Sequence, residues 1–191
     1  MRTNFLIALA LLSLPFAQAC QSTTTTTPAT TPIDASSEEY SIYKRVIEDV
    51  CQPVESMPVL NITVPNHLHD PASDVPYKFV RDNTKLTQKS TLDDFWNKNQ
   101  EPADLDYKLD LVHGNVYITE AQAPRVPTYP GYVELSRIGF NADHTQAIVY
   151  CGHVWTLSGS QGRAWYLVLG KSASGWAVTS KLPSHRTNPA N

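Results

Sequence analysis

The stretch from Tyr132 to Thr179 most constrains the fold, because short apolar runs follow one another there with turn residues between them. Tyr132 to Phe140 reads as a strand, Asn141 to His144 as a turn, and Thr145 to Cys151 as a second strand. A Gly/Ser loop from Gly152 to Arg163 leads to the apolar strand Ala164 to Leu169. The turn Gly170 to Gly175 and a last strand, Trp176 to Thr179, complete the series. Consecutive short strands joined by such turns pair antiparallel with their neighbours. The pattern predicts a meander, one face of which needs a cover.

The preceding residues supply candidates for that cover. Ser36-Ser37-Glu38-Glu39 has the form of a capping box ahead of Tyr40, Tyr43, Val46, Ile47 and Val50, which recur at three- and four-residue steps. Lys44, Arg45, Glu48 and Asp49 fall on the opposite side, so the spacing predicts an amphipathic helix ended by Pro53 and Pro58. Val59 to Val64 alternates as a short strand closed by Pro65, Asn66 to Pro76 is a loop by composition, and Tyr77 to Val80 reads as a strand fragment. Ser90 to Asp94 caps a short helix through Phe95 and Trp96 to Asn99. Tyr107, Leu109 and Leu111 alternate before Gly114-Asn115 and Val116-Tyr117-Ile118, which predicts a hairpin. The expected class is α+β, an antiparallel meander covered by one or two N-terminal helices.

Residues 1–19 read as a processing signal. Arg2 gives a positive start, Phe5 to Leu14 form an apolar run, and Ala17-Gln18-Ala19 places small residues where a signal peptidase reads. The run is too short for a permanent span, which takes about 20 apolar residues. Cys20 follows Ala19 as the acceptor cysteine of a bacterial lipoprotein would, although Ala17 stands where an aliphatic residue is usual. Two outcomes compete: diacylglycerol attachment at Cys20, or ordinary cleavage that leaves a cysteine at the new N-terminus. Residues 20–35 are Thr- and Pro-rich with almost no apolar side chain, the composition of a tether that stands a domain off a membrane, which favours lipidation. Gln21 is not the Asp that retains a lipoprotein at the inner membrane, so the expected location is the outer membrane, facing the periplasm, with free secretion as the alternative.

Setting Cys20 aside leaves Cys51 and Cys151, an even pair suited to a disulfide in an oxidising compartment. Such a bridge would close a loop of about 100 residues and contribute on the order of 4 kcal/mol; the alternative is two buried thiols, and a Cys20 without lipid would leave three candidates for one bridge. Residues 36–182 suffice for a single domain with its own core, followed by a polar tail at 183–191. The net charge of −3 and the scattered Lys and Arg leave no basic stripe for nucleic acid.

Ser136-Arg137-Ile138-Gly139-Phe140-Asn141, then Thr145 to Tyr150, a Gly-rich loop, Tyr166-Leu167-Val168-Leu169 and Trp176-Ala177-Val178 form a recurring layout. It resembles a group of uncharacterised bacterial secreted proteins and lipoproteins with a C-terminal meander. The resemblance covers Tyr132 to Val178, with weaker agreement at Phe95 to Asn99. It implies export and no particular activity. Some members of that group carry cysteines where this chain reads Gly152 to Gly159.

Candidate chemistry is sparse. His67, His69 and Asp70 lie in one extended loop, where alternating residues can turn two imidazoles the same way, and zinc would need further ligands from Asp74, His113, His144 or His153. Ser160, His153 and Asp143 can be combined as a nucleophilic triad, but no G-x-S-x-G elbow supports them. Ser136, Arg137 and Asn141 either build the hairpin or line a site at one end of the sheet. Asp93-Asp94 suit a helix N-terminus, and Asn61-Ile62-Thr63 matches a glycosylation acceptor in a predicted strand. Trp96, Trp155, Trp165 and Trp176 are core aromatics or a ligand platform, with Trp155 the one placed in a loop. No cofactor is implied. These features together describe a cell-envelope lipoprotein acting as a binding module, held by a lipid anchor and open to an envelope protein partner. The alternatives are a secreted metal-dependent hydrolase using His67 and His69, and a structural envelope component.

Overall fold

Strands from both halves of the chain meet in a single sheet in the computed structural model, which describes residues 38–51, 57–65, 75–84, 88–105, 116–126, 131–155 and 162–184. The strands are β1 (Val59–Leu60), β2 (Tyr117–Ile118), β3 (Tyr132–Leu135), β4 (Gly139–Phe140), β5 (Gln146–Val154), β6 (Gly162–Ser172) and β7 (Gly175–Pro183). Their order is β2-β1-β3-β5-β6-β7, with β4 beside β5. From β3 onward every pairing is antiparallel, as the meander pattern requires. The protein is α+β.

Three helices accompany the sheet: α1 (Glu38–Val46), α2 (Val75–Asn83) and α3 (Lys89–Lys98). They cover both faces, more than the expected single cover. Ile42, Tyr43 and Val46 of α1, with Ile47, pack on the face formed by Val133, Leu135, Val149, Cys151, Leu167 and Leu169. Leu92 and Phe95 of α3 and Val80 of α2 pack on the face formed by Ile148, Tyr150, Tyr166 and Val168. Residues 147–151 and 166–169 are apolar at consecutive positions because both of their sides are buried. Each large side chain buried here is worth about 1.5–3 kcal/mol.

Several expectations are corrected. Tyr77 to Val80 is helical, within α2, with Pro76 in its first turn where a missing N–H costs nothing. The first helix loosens after Val46 into a wide π-type turn, Ile47–Cys51. The Val59 to Val64 strand shortens to two residues plus an isolated bridge, Ile62 to Asp104. β2 pairs with β1 in parallel, so the described part of the predicted hairpin joins a mixed sheet edge, and residues 106–115 lie outside the described set. The strand expected from Tyr132 to Phe140 breaks at Ser136–Ile138, where both backbone and side chain of Ser136 bond to Tyr150. β7 runs on to Pro183, and Ser184 is buried with its N–H on the Ala164 carbonyl, so the polar tail begins later than position 183.

Candidate functional site

The residues of the Ser136 to Asn141 motif meet α3 in a polar seam. Gly139 lies directly beneath the helix, where a Cβ would come within 2.4 Å of the Phe95 backbone nitrogen. That approach lets the Phe140 N–H donate to Asp94 Oδ2 at 2.8 Å, while Lys98 Nζ bonds the same carboxylate at 2.8 Å. Asn99 Nδ2 donates to the Arg137 carbonyl at 3.0 Å and Asn99 Oδ1 accepts from the Arg137 N–H at 2.7 Å. Tyr43, from the other face, donates its hydroxyl to the Ser136 carbonyl at 2.9 Å. Full burial pushes that hydroxyl's pKa well above the ordinary tyrosine value.

Asn141 shapes the turn that follows. Its Oδ1 accepts from the N–H groups of Thr145 and Gln146 at 2.9 and 2.8 Å. Gln146 in turn caps α3: its Oε1 accepts from the Gln88 N–H at 2.6 Å and from the Thr91 hydroxyl at 3.1 Å. Ser90 therefore does not cap the helix as expected, since Gln88 is the N-cap residue and an amide from β5 supplies the acceptor. Ser136 and Asn141 serve the packing of the sheet. Beside them Arg137 Nε and Glu39 Oε2 are buried without a hydrogen-bond partner. Burial raises the Glu39 pKa, and the charges of Lys98 and Arg137 offset part of that rise.

A second knot ties α1 to the far ends of the strands. Glu38 accepts from His144 Nδ1 at 2.9 Å, from Trp176 Nε1 at 3.0 Å and from Lys171 Nζ. Burial alone would raise the Glu38 pKa, but these three donors outweigh it and hold the carboxyl below its usual value. His144 adopts a left-handed backbone, φ 51°, and stacks its ring on Phe140 at 4.6 Å.

Glu134 is a polar core residue the sequence reading did not single out. It is 3% exposed, on the α3 side of β3, and accepts from the Tyr150 hydroxyl at 2.8 Å. Gly152, its register partner on β5, leaves the room: a Cβ there would meet Glu134 Cγ at 2.7 Å. The available signal was a carboxylate at an inward position of the strand Tyr132-Val133-Glu134-Leu135.

The remaining candidates separate. Cys20, His67, His69, Asp70, Asp74, His113 and Ser160 lie outside the described residues, as does the side chain of Cys51. Cys151 is buried on β5 in the cluster shared with Val46 and Ile47. His144 and Asp143 sit in the turn before β5 and His153 near its other end, about 30 Å apart at the rise of an extended strand. The triad and any metal site joining these two histidines are therefore excluded by distance. Among the described residues no three His, Cys, Asp or Glu side chains gather as a metal set. The four tryptophans form no common platform: Trp96 meets Tyr77 edge-on at 5.6 Å, Trp176 stands at the Glu38 knot, and Trp155 and Trp165 lie at the opposite end.

That opposite end carries a partly exposed constellation. His153 on β5 lies directly across from Arg163 on β6, and Trp155 meets the His153 ring at 5.2 Å. Lys181 on β7 holds its Nζ 4.3 Å above the Trp165 ring. Arg163 and Lys181 are both exposed and, among the described residues, pair with no carboxylate. By strand alternation these side chains share the α1 face of the sheet. Comparison with family models, with curated proteins and with solved structures finds no match.

Proposed function

We propose that this chain is an exported, lipid-anchored envelope protein whose folded domain works as a binding module. The observation that carries this reading is the division of its polar groups. Ser136, Asn141, Gln146 and Asn99 bond inward, whereas Arg163, Lys181, His153 and the indoles of Trp155 and Trp165 are presented at one end of the sheet. Cations beside aromatic rings favour recognition of an anionic partner. The leader-like residues 1–19, Cys20 and the Thr-rich stretch after it support export and anchoring, with Cys51 and Cys151 bridged in the oxidising compartment.

Intact mass of the membrane-extracted protein tests the reading. The expected species begins at Cys20, carries added acyl mass, and is two hydrogens lighter than its reduced form. A chain with an uncut leader, or one cleaved without added lipid, defeats the anchoring claim.

A further inference from the structure

We propose that the face bearing His153, Trp155, Arg163, Trp165 and Lys181 docks the domain on an anionic phospholipid surface. This rests on the anchored reading above, which supplies the reason a bilayer is within reach. On the same face α1 presents exposed Lys44 and an Arg45–Asp49 pair, and Lys171 is paired with Glu38. With those pairs neutralised, Lys44, Arg163 and Lys181 are left as positive charge, against the partly buried Glu48. Three cations spread over a helix and two strands complement an extended negative surface better than a compact ion, which would need donors that converge. Half-buried indoles beside them suit the interface between headgroups and acyl chains.

The geometry of attachment agrees. The described fold begins at Glu38, on the α1 face, and Lys171 at that knot stands eight β6 residues from Arg163, about 26 Å at strand rise. A flexible chain of eighteen residues, the number from 20 to 37, would span about 25 Å on average and about 60 Å at full stretch. An anchored domain can therefore lay this face on its own membrane, where tethering raises the local lipid concentration and lets a weak patch suffice.

The test uses the chain from residue 20 onward with Cys20→Ser, which keeps every described residue and removes any acyl contribution. It is sedimented with vesicles of phosphatidylglycerol and phosphatidylcholine, and with phosphatidylcholine alone. Binding is expected on the anionic vesicles only, falling with added salt, and reduced about 25-fold in R163Q/K181Q at about fivefold per cation. An unchanged melting curve for the variant confirms that it folds. Equal binding to both vesicles, no binding to either, or undiminished binding by R163Q/K181Q overturns the proposal. So does capture of a soluble polyuronate in place of the vesicles. Failure of the anchoring claim appears separately, in the intact mass, and leaves the vesicle result standing on its own.

Discussion

The two ends of the long β5–β6–β7 strands use similar residue types to opposite purposes. At the end near α3, charged and amide side chains are matched: Lys98 with Asp94, Asn99 with Arg137, Lys171 with Glu38, Asn141 with its own turn. At the other end Arg163 faces an imidazole and Lys181 an indole, with no carboxylate paired to either. The difference lies in what stands opposite each cation. A cation with a matched partner holds the fold together, and one without remains available to something outside it.

Substitutions should separate the two ends by their effect on stability. Gly139→Val places a branched side chain against the α3 backbone and should cost about 3 kcal/mol, with loss of helix–sheet contact. Urea unfolding followed by circular dichroism measures it, and a loss below about 1 kcal/mol would mean that α3 sits further from β4 than described. Asn141→Ala strands two backbone donors, at a cost of about 2 kcal/mol, and amide exchange should quicken first at Thr145 and Gln146.

Glu38→Gln should matter less, below about 1 kcal/mol, because the site is partly solvated. Its pH dependence is the sharper readout. The Glu38 pKa is lower in the fold than the ordinary 4.5, so its contribution is present above that value and fades as pH falls through the folded one. Wild type should lose its advantage over Glu38→Gln on acidification. Glu39 acts with the opposite sign: its raised pKa gives a contribution that is lost as pH rises through the folded value. Smallest of all, R163Q/K181Q should shift stability by no more than about 0.5 kcal/mol, since neither side chain has an ion-pair partner to lose. A large loss there would turn the exposed end into a structural one.

The meander was legible because turn residues separate successive short apolar runs from Tyr132 to Trp176. What hid was chiefly the work of residues distant in sequence. Tyr77 to Val80 is a four-residue, mostly apolar run, too short to distinguish a strand from the helical turn that Pro76 begins. The apolar phase slips from Val133 and Leu135 to Ile138 and Phe140 across the polar pair Ser136-Arg137, a local mark of the break, while the partner that fixes it, Tyr150, lies on β5. Gln146 gives no sign in the sequence of its partners, Gln88 and Thr91 at the start of α3, more than fifty positions earlier. Likewise Arg163 and Lys181 are unremarkable singly and acquire meaning only when register sets one beside His153 and the other over Trp165.

The Gln146 bond also bears on the order of assembly. A helix whose opening turn is closed by a side chain 58 positions later lacks that closure until the β4–β5 turn has formed. α3 should then mature with the hairpin rather than nucleate ahead of it, and Gln146→Ala should slow refolding as well as hasten unfolding.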